Sequence, residues 1–172
     1  NEADSLQDLY HEITSTLDSI EKQYEIVFVY DGSNDDSLLI MSELCRNHNR
    51  VKIVQLSTNV GQTSAISAGL EYCLGQIIIT LDADAQNVPA DIPRLIDQLQ
   101  PDVDLVCGWR HKRDDPFLTR VLPSRIANGA IRRMTGVTIH DAGCGFKVFR
   151  LVYGKPFFLQ TDAHRLLPAL VG

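Results

Sequence analysis

Nowhere in the 172-residue chain do some 18 apolar residues run together, so there is no membrane-spanning helix pattern. There is no Cys-x-x-Cys. Cys45, Cys73, Cys107 and Cys144 lie far apart, which argues against a zinc site and fits a reducing, cytosolic setting. Gly-x-Gly-x-x-Gly is also missing, and with it the fingerprint of a Rossmann dehydrogenase. Aromatics make up 7% of residues and do not interleave with the basic stretch, and the net charge is −6; both features disfavour a nucleic-acid binder. His11, His48 and His111 have no ligand spacing. His140 reads as a loop residue and Trp109 as core. Internal repeats, low-complexity segments and a signal-peptide pattern are all lacking. The chain starts at Asn1 and enters a helical pattern at once, so it reads as a fragment.

What is present describes a globular chain. Hydrophobic residues are 44% and charged residues 22%, and residues 1–172 make one domain of ordinary size. Charge is uneven. Residues 110–133 hold seven Lys/Arg against two Asp, a local +5 that leaves −11 for the remainder. Such asymmetry points to an anionic partner at one place.

Periodicity predicts alternating elements. Leu6, Leu9, Ile13, Leu17 and Ile20 recur at steps of three and four, giving a helix over 1–20. Tyr24–Tyr30 reads as a strand ending in the turn Asp31-Gly32-Ser33-Asn34-Asp35. A helix over Ser37–His48 and a strand over Val51–Leu56 follow, then Asn59-Val60-Gly61-Gln62 and a small-faced helix over Thr63–Leu74. Ile77–Leu81 is a strand, Pro89 opens a helix, and Asp104–Trp109 is another strand. Residues 110–121 read as loop, 124–135 as helix, Gly145–Arg150 as a short strand and His164–Leu170 as helix. Strands alternating with helices every 25 residues or so predict a three-layer α/β/α fold with a mainly parallel sheet.

The run Gly75-Gln76-Ile77-Ile78-Ile79-Thr80-Leu81 ends in Asp82-Ala83-Asp84-Ala85-Gln86. Its apolar length predicts a strand buried on both faces of a parallel sheet, whose ligands bind beyond the carboxyl ends of the strands. If the chain stays extended, residues i and i+2 point the same way, so Asp82 and Asp84 would face one site. Two such carboxylates repel unless a cation lies between them. With Gln86 they make a hard oxygen set suited to Mg2+ or Mn2+, and so to a diphosphate.

Two acidic turns thus follow two strands, and here the sequence resembles the family 2 glycosyltransferases, inverting enzymes of the GT-A fold. Asn1-Glu2 resembles the end of the family's Pro-x-Tyr-Asn-Glu motif, Asp31-Gly32-Ser33-Asn34-Asp35 its Asp-Gly-Ser-x-Asp, Asn59-Val60-Gly61 its Asn-x-Gly, and Leu81–Gln86 its Leu-Asp-Ala-Asp-Leu-Gln. Three further stretches look like the polyprenyl-phosphate (dolichol-phosphate mannose synthase-like) branch: Asp115–Asn128, His140-Asp141-Ala142-Gly143-Cys144-Gly145-Phe146-Lys147, and His164–Leu170.

The resemblance implies a UDP- or GDP-sugar donor contacted by Glu2, Asp31, Ser33 and Asp82. It implies a metal at Asp82, Asp84 and Gln86, with Asp84 catalytic. Arg113, Arg120, Arg125 and Arg132 would grip the acceptor phosphate, Arg125 among the catalytic residues, and Asp141 is the candidate base by position. The partners implied are the donor, a polyprenyl phosphate and the surface of a membrane, on its cytoplasmic face, with products serving cell-wall, polysaccharide or glycoprotein assembly. Tyr30, Asn87-Val88-Pro89 and Ala163 depart from the family pattern. In the family the first strand sits mid-sheet and membrane helices follow the catalytic domain; a chain from Asn1 to Gly172 would lack both. Losing a central strand would leave ladder groups unpaired at about 1–3 kcal/mol each if kept from water, so poor stability or recruitment of another strand is expected.

Elementary chemistry agrees with a phosphate acceptor. A leaving diphosphate needs fixed positive charge. A sugar hydroxyl needs a base, whereas a phosphate, with a second pKa of about 6, is already largely ionised and needs Arg forks. A hydroxyl acceptor, or nucleotide binding without turnover, are the alternatives. A haloacid-dehalogenase phosphatase would carry Asp-x-Asp on its first strand, without the upstream turn.

Overall fold

The computed structural model describes residues 1–108 and 144–151. Within them the elements run α1 (Ala3–Ser19), β1 (Ile26–Tyr30), α2 (Ser37–Asn47), β2 (Val51–Gln55), α3 (Gln62–Glu71), β3 (Ile77–Thr80), a 3-10 turn (Pro89–Asp91) leading into α4 (Ile92–Gln98), β4 (Leu105–Cys107) and β5 (Lys147–Arg150). Each matches a sequence expectation to within a few residues at its ends.

β1 and β2 pair in parallel, Ile26 beside Val51 through Tyr30 beside Gln55. The strand period of two then sorts side chains to two faces. Ile26 and Phe28 join Leu6, Leu9, Tyr10, Ile13 and Leu17 of α1 and Met41 and Leu44 of α2 in one buried core, which also takes Ile92 of α4. Val29 points the other way, against α3: a Cβ placed on Gly69 would lie 2.8 Å from Val29 Cγ2. Glycine there lets helix and strand approach closely. The same helix covers the second sheet, where Leu70 packs with Ile78 and Phe149. Helices on both sides of the strands give the three layers.

The second sheet corrects the parallel reading of the Ile77 strand. β5 lies between β3 and β4 and is antiparallel to both, with Ile78 opposite Phe149 and Val106 opposite Val148. β3 and β4 are therefore parallel to each other but not adjacent. Both faces of β3 still meet apolar neighbours, Ile78 with Leu70 and Phe149 and Ile79 against the α1 core, although Ile77 at the start of the strand is 39% exposed. An apolar run read as a doubly covered parallel strand has, among the described residues, an antiparallel neighbour on one side. The two sheets share no ladder among the described residues. The expected elements over 110–121, 124–135 and 164–170 lie outside the described residues.

Candidate functional site

Three turns leave the carboxyl ends of β1, β2 and β3, and one hydrogen-bonded network ties them together. Asp31 follows β1. Its two carboxylate oxygens accept the N–H groups of Val60 (2.7 Å) and Gly61 (2.9 Å), and its carbonyl accepts the Asn59 side-chain amide (2.9 Å). The turn needs special backbone on both sides, with Gly32 at φ +72° and Gly61 at φ +86°, a region glycine enters without penalty. Gly32 also packs on Asn59, where a Cβ would stand 3.1 Å from the backbone nitrogen. Asp31, expected at the nucleotide, therefore first organises the Asn59-Val60-Gly61 turn. Tyr30, the departure from the family pattern, donates its hydroxyl to the Ser33 carbonyl (2.6 Å) and braces the same turn.

The start of α1 is clamped onto that turn. Asn34 N–H donates to the Asn1 side-chain oxygen (2.7 Å), Glu2 N–H to the Ser37 hydroxyl (3.3 Å) and Ala3 N–H to Asp35 (3.0 Å). Asp35 also accepts the Ser37 N–H (3.1 Å), so one carboxylate sits at the N-termini of both α1 and α2, where negative charge is favoured. The Ser37 side chain, followed by the backbone N–H groups of Ala3 and Ser37, holds the Asp35 carboxyl below its ordinary value. Glu2 is thereby fixed in backbone position beside the Asp31 turn.

The acidic turn after β3 is held from two directions. Ser5 of α1 donates its hydroxyl to the Ala83 carbonyl (2.7 Å). Gln62, first residue of α3, donates its amide to Asp82 Oδ1 (2.9 Å). Asp82 is half-buried and Gly145 lies directly against its carboxylate. Gly145 is fixed in turn by Thr80, whose hydroxyl donates to its carbonyl (2.6 Å). Asp84 and Gln86 are exposed, and Asp84 accepts the Gln86 N–H (3.1 Å) in a tight local turn.

This turn corrects the extended-chain argument for the acid pair. β3 ends at Thr80, and the chain bends over 83–85 with Ala85 at φ +57°, so strand alternation stops before Asp82 and cannot align Asp82 with Asp84. Among the described residues no group of three or more His, Cys, Asp and Glu gathers around one point. Asp82, Asp84 and Gln86 carry hard oxygen donors, the ligand chemistry a divalent cation such as magnesium prefers.

The sequence alone assigned no role to Ser5, Gln62, Gly145 or Lys147. Gln62 carried a signal, since it directly follows the Asn-Val-Gly turn, and Gly145 stands within the quoted Gly-Cys-Gly. Lys147 is only 4% exposed and donates to the Cys144 carbonyl; a charged residue inside a strand gives no pattern. Arg113, Arg120, Arg125, Arg132 and Asp141 lie outside the described residues.

A second bracket stands before β3. Glu25 accepts the N–H groups of Leu74 (2.6 Å) and Gly75 (3.1 Å) and pairs with Lys52 (2.6 Å), which also reaches the Tyr72 carbonyl (3.2 Å). Burial pushes the Glu25 carboxyl up, but Lys52 and the two N–H groups outweigh it and the net shift is downward.

The family profile for glycosyl transferase family 2 matches residues 1–153. Dodecaprenyl-phosphate galacturonate synthase of Rhizobium johnstonii is 38% identical over 173 residues, covering 99% of this chain and 51% of that protein. Undecaprenyl-phosphate 4-deoxy-4-formamido-L-arabinose transferase of Edwardsiella ictaluri is 44% identical over 171 residues, covering 99% and 52%. The chain thus spans about half the length of these curated relatives. Among solved structures, glucosyl-3-phosphoglycerate synthase from Mycobacterium tuberculosis superposes with a TM-score of 0.67 at 18% identity, over 89% of this chain and 54% of that one. That likeness is one of fold.

Proposed function

Since this chain belongs to glycosyl transferase family 2 and has the GT-A fold, we propose that it performs an inverting transfer of sugar from a UDP- or GDP-sugar to a polyprenyl phosphate. The observation that carries the reading is the network at the strand ends: Asp31 with Asn59–Gly61, Gln62 with Asp82, and Ser5 with Ala83. It gathers backbone and acidic groups where ligands of such sheets bind. Relatives whose names carry dodecaprenyl or undecaprenyl phosphate, matched along nearly all of this chain, support the acceptor class.

In this reading Glu2, Asp31 and Ser33 border the nucleoside, and Asp82, Asp84 and Gln86 would hold Mg2+ or Mn2+. A bound divalent ion would stabilise charge developing on the leaving diphosphate. The acceptor phosphate oxygen forms the new bond to the anomeric carbon as the bond to the diphosphate breaks, inverting that centre. An ionised phosphate needs no base for this step. Arg113, Arg120, Arg125 and Arg132 would orient it, with Asp141 serving as base only if the acceptor were a hydroxyl. Among the described residues no helix is long and apolar enough to cross a membrane. Work on a lipid phosphate at the cytoplasmic face of a membrane would draw on the basic 110–133 stretch.

Calorimetry with UDP and with GDP, each with and without Mn2+, tests the donor side. Wild type should bind one of them in an Mn2+-dependent way. Asp84→Asn should lose that dependence with its melting temperature unchanged, because Asp84 is exposed. A variant that binds with the wild-type Mn2+ dependence overturns the assignment of Asp84.

A further inference from the structure

Two residues far from Asp82 in sequence approach it, and the family resemblance gave neither of them a role. Gln62, 20 residues earlier, donates its side-chain amide to Oδ1 at 2.9 Å. Gly145, 63 residues later, lies so close that a Cβ there would fall 2.0 Å from Oδ2 and 2.3 Å from Cγ. Those distances are far inside van der Waals contact, so no side chain fits at 145 while the carboxylate stays where it is. Thr80, at the end of the strand that leads to Asp82, fixes the Gly145 carbonyl.

We propose that Gln62 and Gly145 are positioning residues for the Asp82 carboxylate. Gln62 fixes one oxygen by a hydrogen bond, and Gly145 defines the space the group can occupy. The choice of a neutral amide matters chemically. A Lys or Arg in place of Gln62 would bring a positive charge against the carboxylate it orients, whereas a neutral amide orients it without adding one. A carboxylate held in one rotamer also loses less freedom when it takes a ligand. This inference deepens the donor-site reading above and rests on it for its purpose, though not for its geometry.

The decisive variant is Gln62→Met, which keeps the side-chain length and removes the donor. Gln62 is exposed, so the melting temperature should stay within about 2 °C of wild type, in line with surface substitutions generally. The Kd for UDP or GDP, whichever wild type binds with Mn2+, should rise roughly tenfold, the order expected for one hydrogen bond to a charged group. In an Asp82→Asn background Gln62→Met should add nothing, because its effect passes through Asp82. Gly145→Ala should weaken binding and lower the melting temperature, and its melting penalty should largely vanish in an Asp82→Gly background. A merely structural Gln62 would move the melting temperature and not the Mn2+-dependent Kd. Unchanged binding in Gln62→Met, or equal losses with and without the Asp82 carboxylate, overturns the proposal. If wild type binds neither nucleotide, the donor-site reading fails instead. The Gln62 side-chain amide resonance then still decides the positioning: it should shift in Asp82→Asn, and an unmoved resonance refutes it.

Discussion

Replacing Gly69 by Ala pits two effects of opposite sign against each other, and the structure says which wins. Gly69 lies in α3, where Ala should favour the helix by about 0.5–1 kcal/mol. The added Cβ, however, would stand 2.8 Å from Val29 Cγ2, against about 3.5–4.0 Å for relaxed carbon contact. Helix and strand must part by roughly 1 Å or Val29 must turn. Valine is stiff at χ1, and Val29 is held in the β1–β2 ladder opposite Val54. Overpacking of this kind costs about 1–3 kcal/mol, so the net expectation is a loss of roughly 0.5–2 kcal/mol. For a chain of this size that lowers the melting temperature by about 1–8 °C. Circular dichroism melts and urea titrations on four proteins test it: wild type, Gly69→Ala, Val29→Ala and the double variant. With Val29 cut back to Ala the clash is gone, and Gly69→Ala should then stabilise by the helix-propensity amount. The sign of the Gly69→Ala effect must reverse between the two backgrounds. If Gly69→Ala stabilises wild type, or destabilises both backgrounds equally, the close approach of α3 to β1 does not limit that position.

Asp35→Ala should lower stability at neutral pH and flatten the acid limb of the stability profile. The Asp35 carboxyl is held below its ordinary value of 3.8, so its contribution is full above that value and fades as pH falls through the lower folded one; melts from pH 7 down to pH 2 read this directly, and parallel acid limbs would refute it. Glu25→Ala strips partners from the Leu74 and Gly75 N–H groups and should cost about 1–3 kcal/mol by urea unfolding. Lys52→Met removes a partly exposed ion pair and an exposed hydrogen bond to the Tyr72 carbonyl and should cost less, about 0.2–1 kcal/mol, so equal losses would refute the bracket. Because seven Lys/Arg cluster in residues 110–133, the chain should bind anionic vesicles better than neutral ones, less so at high salt, and Arg125→Glu with Arg132→Glu should weaken that binding; equal binding to both vesicle types would refute it.

The sequence by itself placed the elements, because each carries a local signature. The three-and-four spacing of Leu6, Leu9, Ile13 and Leu17 marks α1, and the apolar runs broken by Asp31 and Asp82 mark β1, β3 and the turns where ligands of such sheets bind. Only the tertiary structure decided the partners. That β5 inserts antiparallel between β3 and β4 depends on a pairing across some 70 residues, and strand periodicity is the same for either direction. Asp82 and Asp84 looked like an aligned pair only while the strand was taken to continue; the strand ends at Thr80 and the chain bends from Ala83. Asp35 reads as one more turn acid, yet it caps two helices because α1 is packed with its N-terminus beside that of α2. Gln62 and Gly145 meet at Asp82, and Ser5 reaches Ala83, through contacts whose members are single polar or glycine residues with no period. Such contacts exist only after the apolar core has set the distances between elements.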